Sequence, residues 1–282
     1  MKLSTNVPIL LRTYDMKQIV DICANAGFDY IEFPGERIYE EPKEYYTELR
    51  KYAEDKGILF DQAHAPFVAK LYDSPFYDEF FEKIVKSLKV CSYLGVNYAV
   101  THPCKAHDII LENNPEKLIE FNLNYYRKFI PYYEEYGIKI AIENTGTYSV
   151  SNSPEEHKAF LDELNHPAFV ACVDVGHYNC FGFNCADGIR TVGDHVKCLH
   201  IHDNDGAKDM HKIPFSAVGS IDWEDTMKAL AEIDYKGSLN YEIGAFLRQF
   251  PAELHAAATD FTADIARYLR SRFEFYREEL NK

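Results

Sequence analysis

The feature of this 282-residue chain that most restricts its fold is a regular alternation of short apolar runs with longer amphipathic stretches. The apolar runs predict β-strands at residues 2–6, 30–33, 59–63, 98–101, 139–142, 169–173, 196–201 and 238–241. The amphipathic stretches predict helices at residues 16–26, 44–56, 77–94, 115–136, 154–164, 185–192, 223–233 and 252–270. Alternating strands and helices imply a parallel sheet with right-handed crossovers, and eight strands close a (β/α)₈ barrel. We therefore predict an α/β fold in which residues 1–282 form one TIM-barrel domain.

The residues between the predicted elements agree with this assignment. A glycine follows five of the predicted helices and precedes the next strand, at the position where a left-handed helix cap favours glycine. These glycines are Gly27, Gly57, Gly95, Gly137 and Gly237. Ser153, followed by Pro154 and two glutamates, predicts the start of a helix. No linker rich in proline or serine divides the chain, which favours a single domain.

The composition disfavours several classes of protein. A formal net charge of -15 opposes attraction to a phosphate backbone, so nucleic acid is a disfavoured partner. The seven cysteines are odd in number and form no CxxC pair, so we expect neither a disulfide framework nor a thiolate zinc site. No apolar run reaches the length of a membrane span and the start lacks a secretory signal, so we expect a soluble cytoplasmic protein. The oligomeric state stays open, a homo-oligomer included.

Nine potential metal ligands lie at or just after the ends of predicted strands. They are His64, His102, Glu143, Asp174, His177, His200, Asp209, His211 and Glu242. Because the carboxyl ends of barrel strands meet at one mouth, where active sites of this fold lie, we expect these side chains to converge. Imidazole and carboxylate are ligands that zinc and manganese accept. The set therefore predicts a metalloenzyme.

The prediction depends on the set, because a single histidine such as His64 or His102 is more often a packed or capping residue. Glu143 and Glu242 each follow an apolar run, and a carboxylate inside a barrel mouth is costly unless it is paired or bound to metal. Together with Asp174 and His200 they would form an oxygen-rich site for a divalent cation. The remaining loop residues would bind a further ion or orient the first ligands.

Several segments resemble the motifs of the xylose-isomerase-like barrel superfamily, which includes sugar isomerases, sugar epimerases and endonuclease IV. They are Glu143-Asn144-Thr145-Gly146, Val173-Asp174-Val175-Gly176-His177, Leu199-His200-Ile201-His202-Asp203-Asn204, Asp209-Met210-His211 and Ser220-Ile221-Asp222-Trp223. The resemblance spans essentially the whole chain, and the ordered combination is more specific than any one motif.

The resemblance implies a divalent-metal site but leaves the number of ions open. Ketose epimerases of the superfamily bind one Mn²⁺, Co²⁺ or Mg²⁺ through positions that match Glu143, Asp174, His200 and Glu242. Endonuclease IV binds two further zinc ions, and its additional ligands match His64, His102, His177, Asp209 and His211. We therefore expect one to three ions per chain, with zinc or manganese preferred and magnesium or cobalt as alternatives.

The function that the resemblance implies is a metal-dependent isomerase or epimerase of a small sugar or sugar phosphate. Proton transfer would pass through a metal-stabilised enediolate, with Glu143 and Glu242 as base and acid. The alternatives are a trinuclear zinc phosphoesterase like endonuclease IV and a protein that binds a sugar in a metal-dependent way without turning it over. The acidic composition and the lack of obvious mouth loops rich in arginine or lysine weigh against nucleic acid.

Three further residues near the predicted mouth are weaker candidates for substrate binding. Glu32 and His202 could donate or accept hydrogen bonds with sugar hydroxyls, and Phe67 could form an apolar wall. For each of these three residues, a structural role is about as frequent as a substrate-binding role. The sequence leaves open which sugar binds and whether it carries phosphate.

Overall fold

Eight parallel strands form a barrel in a computed structural model that describes residues 1–67 and 74–282. The strands are β1 (Lys2–Asn6), β2 (Tyr30–Phe33), β3 (Leu59–His64), β4 (Tyr98–Thr101), β5 (Lys139–Glu143), β6 (Phe169–Asp174), β7 (Val196–His200) and β8 (Ser238–Tyr241). Each strand pairs with the next in sequence from β1 to β7, and β8 pairs with β1. A parallel bridge between Ile201 and Tyr241 joins β7 to β8, with the Ile201 amide donating to the Asn240 carbonyl at 2.8 Å. The predicted (β/α)₈ barrel is therefore confirmed.

The strand ends differ slightly from the prediction, in a way that concerns the candidate ligands. Three strands run one residue further than predicted and end on His64, Glu143 and Asp174 themselves. The seventh ends on His200, and Ile201 contributes only the closing bridge. Four candidate ligands are thus the last residues of their strands, where the sheet hydrogen bonds hold their backbones in place.

The helices surround the barrel and are numbered here in chain order. Those in the described part of the chain are α1 (Met16–Ala26), α2 (Lys43–Asp55), α3 (Ser74–Leu94), α4 (His107–Leu111), α5 (Pro115–Arg127), α6 (Ile130–Tyr136), α7 (Pro154–Leu164), α8 (Val175–Cys180), α9 (Cys185–Val192), α10 (Trp223–Glu232), α11 (Gly244–Leu247) and α12 (His255–Leu280). The predicted helix 115–136 is divided between α5 and α6, because Pro131 has no amide hydrogen to donate to the Arg127 carbonyl. Helix α12 continues ten residues beyond its predicted end at 270.

Four of the five predicted glycine caps have the expected left-handed backbone, with φ between 73° and 90° at Gly27, Gly57, Gly95 and Gly137. The prediction for Gly237 was wrong. The left-handed residue after α10 is Asp234, with φ of 51°. Gly237 is needed for space instead, because an added Cβ would lie 2.6 Å from the carbonyl oxygen of Lys197.

The barrel has two apolar clusters, and along β5 and β6 their residues alternate. On β6, Phe169, Ala171 and Val173 pack against the surrounding helices, whereas Val170 and Cys172 belong to a separate small cluster inside the barrel. Successive side chains of a strand point to opposite faces, so Asp174 faces the interior with Val170 and Cys172. The same alternation places the last residues of β5 and β7 above this interior cluster. Among residues 1–67 and 74–282, no helix is long and apolar enough to cross a membrane.

Candidate metal centre

The main ligand group consists of Glu143, Asp174, His200 and Glu242, whose potential ligand atoms lie within 4.8 Å of one another. The Nδ1 atom of His200 lies 3.3 Å from Glu242 Oε2, 3.4 Å from Glu143 Oε2 and 3.9 Å from Asp174 Oδ2. Glu143, Asp174 and His200 are buried, and Glu242 is partly exposed. Three carboxylates and one imidazole thus converge at the carboxyl ends of β5 to β8, as the sequence predicted.

The orientation of His200 fits a divalent cation at this position. Its Nε2 atom lies 3.0 Å from Glu32 Oε1, and because a carboxylate can only accept, the hydrogen of this bond lies on Nε2. Its Nδ1 atom is buried and forms no hydrogen bond. With a cation bound, Nδ1 would be the unprotonated nitrogen facing it, as in a metal-ligating imidazole held by a carboxylate behind it. The donor set of one nitrogen and carboxylate oxygens suits zinc or manganese.

Glu32, predicted as a weak substrate-binding residue, lines the cavity but has its carboxylate oxygens engaged by the protein. Besides His200, it accepts hydrogen bonds from Asn240 Nδ2 at 2.9 Å and from Gln62 Nε2 at 3.2 Å. Its geometry is that of a residue that fixes the ring of His200.

A second group extends from the first on the side of β3 and β4. His64, His102 and Glu143 have ligand atoms within 4.8 Å of one another. His102 Nε2 lies 3.1 Å from Glu143 Oε2, and His64 Nε2 lies 3.6 Å from the same oxygen. Glu143 therefore belongs to both groups, and its Oε2 atom is the one that faces His64, His102 and His200.

A third group contains one residue to which the sequence had assigned a different role. His177, Asp209 and His211 lie together as expected, and His202 lies with them, within 4.8 Å. The His202 ring stacks on His211 at a centroid distance of 4.1 Å, and its Nε2 atom lies 3.0 Å from Asp174 Oδ1. The spacing His200-Ile201-His202 carried a signal for this position, because residues two apart on an extended chain face the same side.

Local structure explains how the loop residues reach the centre. Asp174 caps the amino end of α8 by accepting a hydrogen bond from the His177 amide at 2.8 Å, which places His177 beside it. Asn144 joins two strand ends by accepting from the Asp174 amide at 2.7 Å and donating to the Asp174 carbonyl at 2.9 Å. Asp209 and His211 lie in a loop closed by an antiparallel bridge between Asp203 and Lys212.

The charges of the centre depend on one another. Burial raises the pKa of Glu143, but the nearby charges of His102 and His200 and hydrogen bonds from His102 and His177 hold this pKa well below its ordinary value. Burial lowers the pKa of His64, yet Glu143 and other carboxylates raise the pKa of this imidazole to about 9. Protons on the imidazoles and bound cations are therefore alternative ways to neutralise the carboxylates.

Cys172 also lies within 4.8 Å of ligand atoms of Glu143 and His200. Burial raises the pKa of the Cys172 thiol to about 12, so the thiol keeps its proton at neutral pH. A metal binds the thiolate rather than the thiol, and we leave Cys172 outside the proposed ligand set. All seven cysteines are free.

The groups open into a cavity of about 420 Å³ at the barrel mouth. Phe67 forms part of its wall, with its ring 4.5 Å from that of His102 and 4.9 Å from that of His64. Contrary to the expectation of a mouth without basic loops, three arginines line this cavity: Arg12, Arg37 and Arg248. They follow β1, β2 and β8, where no helical or strand periodicity draws attention to them.

The fold and the site define a TIM barrel with histidine and carboxylate side chains clustered at its carboxyl-terminal mouth. Residues 20–265 match the family described as xylose isomerase-like TIM barrel, and the chain belongs to this family.

Comparison with known proteins gives the following similarities. The chain is 25% identical to D-psicose 3-epimerase of Enterocloster bolteae over 236 residues, covering 79% of this chain and 75% of that protein. It is 23% identical to inosose isomerase of Bacillus velezensis over 254 residues, covering 86% and 88%. A match at 31% identity to an uncharacterized protein of Sinorhizobium fredii covers 38% of this chain and only 34% of that protein. The crystal structure of the IOLI protein with a bound zinc atom superposes with a TM-score of 0.76 at 21% identity, covering 98% and 99%.

Proposed function

We propose that the protein is a divalent-metal-dependent isomerase or epimerase of a small sugar or sugar derivative. The observation that carries the proposal is the buried Nδ1 atom of His200, which forms no hydrogen bond and faces Glu143, Asp174 and Glu242. The similarity to D-psicose 3-epimerase and inosose isomerase supports this class of reaction, and the zinc atom in the IOLI protein supports a metal. Zinc or manganese suits the ligands best.

The chain's own groups suit the movement of a proton between a sugar carbon and an acidic or basic side chain. A bound divalent ion would polarise the carbonyl and hydroxyl oxygens of the sugar and so acidify the adjacent C–H bond. Glu143 ends β5 and Glu242 directly follows β8, and both line the cavity with a carboxylate oxygen within 3.4 Å of His200 Nδ1, so both would lie beside a substrate held there. One would remove the proton and the other would return it. His200 and Asp174 would hold the ion, and Glu32 would hold His200.

Loss of a substrate hydrogen to solvent tests this reaction before the product is known. We expect the metal-loaded protein to exchange a C–H hydrogen of at least one ketose, aldose or sugar phosphate for deuterium from heavy water, as followed by NMR. A chelator should abolish the exchange, and added metal should restore it. A protein that binds sugars from such a panel but exchanges no hydrogen would be the sugar-binding protein without turnover.

The three adjoining ligand groups favour one second candidate, a trinuclear zinc phosphoesterase. Glu143 is shared between two groups, as a bridging ligand requires, and the third group adjoins Asp174 through His202. The chain is also 22% identical to a probable endonuclease 4 of Metamycoplasma arthritidis over 202 residues. Incision of a duplex at an abasic site, together with tight binding near physiological salt, would support this candidate and overturn the isomerase. The net charge of -15 leads us to expect weak or undetectable duplex binding.

More than one metal ion per chain is expected in protein purified without chelator, because the third group offers three imidazoles and a carboxylate. His211→Asn should lower the metal content by about one equivalent, as measured by elemental analysis, and leave an ion at the Glu143 group. His195→Asn is the matched control, because His195 pairs with Asp162 away from the centre and its replacement should change nothing. Strictly one equivalent in the unmodified protein would leave substrate-binding or orienting roles for the other five candidates: His64, His102, His177, Asp209 and His211.

A further inference from the structure

The arginines of this chain divide into two classes by their ion pairs. Eight of the ten have a carboxylate oxygen within 4.0 Å. The two that have no ion pair among the described residues, Arg12 and Arg248, both line the cavity at the metal centre. In a chain with a net charge of -15, unpaired guanidinium groups are scarce, and both are at the one place where a substrate would bind.

The topology brings these two arginines to the same side of the mouth. Arg12 ends a short 3-10 turn after β1, and Arg248 follows α11 after β8. Strands β1 and β8 are paired, with Thr5 opposite Tyr241, so the loops that carry the arginines are neighbours. Arg37 follows β2, the other neighbour of β1, but its Nε atom already lies 3.2 Å from Glu36 Oε1.

The cavity brings the two kinds of group together. The candidate metal ligands that line it lie on or after β3 to β8, with Glu242 directly after β8, and the two arginines lie further along the segments that follow β8 and β1. Guanidinium groups bind phosphate and carboxylate through two parallel hydrogen bonds, and they gain more from an anion than from a neutral hydroxyl. Both arginines are exposed, so their guanidinium groups are accessible to a ligand in the cavity.

We propose that the substrate carries an anionic group, phosphate or carboxylate, which Arg12 and Arg248 bind while the sugar oxygens face the metal ligands. This inference specifies the substrate class of the function proposed above and rests on it. The two arginines then determine specificity for a charged sugar over its neutral analogue.

Binding of three probes with one carbon skeleton tests the inference: D-fructose, D-fructose 6-phosphate and D-fructuronate. Isothermal titration calorimetry on the metal-loaded protein should show at least one anionic probe binding about tenfold or more tightly than fructose. Whichever of the two anionic probes binds more tightly shows whether the site prefers phosphate or carboxylate. Added sodium chloride should weaken the binding of the charged probe more than that of fructose.

Substitution of the arginines should reduce this preference. We expect about tenfold weaker binding of the anionic probe, relative to that of fructose, in Arg12→Ala and in Arg248→Ala. The lysine variants Arg12→Lys and Arg248→Lys should retain part of the preference because they keep the charge. Arg127→Ala is the matched control, since Arg127 is exposed on α5, pairs with Glu163 and should keep the preference of the unmodified protein. Thermal unfolding checks that each variant is folded.

The inference is wrong if neither anionic sugar binds more tightly than fructose, or if the Arg12→Ala, Arg248→Ala double variant keeps the full preference. Failure of the proposed function looks different, because it appears in the exchange of substrate hydrogen with heavy water. If the protein prefers anions through these arginines but exchanges no substrate hydrogen, the anion site is supported and the isomerase function is contradicted. If the protein exchanges the hydrogen of fructose as readily as that of the charged analogues, the isomerase function is supported and the anion site is contradicted.

Discussion

Replacing Glu143 or Glu242 by glutamine is expected to lower turnover by about 10²-fold or more, even when the metal is saturating. Glutamine keeps the shape and one oxygen of the side chain, but it cannot accept and return a proton. The effect should be on kcat, because the lost interaction belongs to the proton-transfer step rather than to substrate binding. Turnover would be measured by exchange of substrate hydrogen with heavy water, at metal concentrations shown by titration to fill the site.

The metal titration separates two roles of these carboxylates. If added metal restores full activity to the glutamine variant, the glutamate served only as a ligand. Glu143 requires a further check, since its carboxylate contacts His102 at 3.1 Å and His177 at 3.2 Å and its loss disturbs their charges. Thermal unfolding would show whether Glu143→Gln remains folded. The exposed Glu253 provides the control, because Glu253→Gln removes a charge without touching the cavity.

The sequence predicted the barrel and the convergence of the candidate ligands for a common physical reason. Parallel strands place all their carboxyl ends at one mouth, so a residue at a strand end is located by topology before any contact is known. The period of two along a strand then decides which side chains face inward. Asp174 follows Cys172 and Val170 on the inner face of β6, and Glu143 follows Ala141 on that of β5. The alternation of side chains along the strands and the lengths of the strands were sufficient to predict that these two residues face the barrel mouth.

The remaining features depend on contacts that have no period in the sequence. Arg12 lies in a short 3-10 turn and Arg248 just after α11, and they stand out only because both line the cavity and neither forms an ion pair within the described structure. The break in the predicted helix 115–136 could have been predicted, because Pro131 lies inside it. The role of Gly237 could not, because it depends on the carbonyl group of Lys197, which is distant in sequence. The place of His202 among the ligands required the fold of the loop that brings His211 onto its ring.

Gly176→Ala is expected to destabilise the protein and to disturb the third ligand group. An added Cβ would lie 1.9 Å from Cε1 of His202, closer than packed atoms can approach. The ring cannot move away freely, because it is buried, stacks on His211 at 4.1 Å and has Nε2 3.0 Å from Asp174 Oδ1. Overpacking of this kind costs about 1–3 kcal/mol or more. In an exposed helix the same substitution would stabilise by about 1 kcal/mol, so the sign of the change is informative.

The free energy of unfolding from denaturant titration and the metal content would both be measured. Gly244→Ala is the stability control, because nothing lies within 4 Å of a Cβ at that first residue of α11. Removing the ring should relieve the clash, so adding Gly176→Ala to a His202→Ala background should cost much less than adding it to the unmodified protein. Equal costs in the two backgrounds would show that His202 does not confine Gly176. That result would contradict the described packing of His202 against Asp174 and His211. It would also contradict the assignment of His202 to the third ligand group.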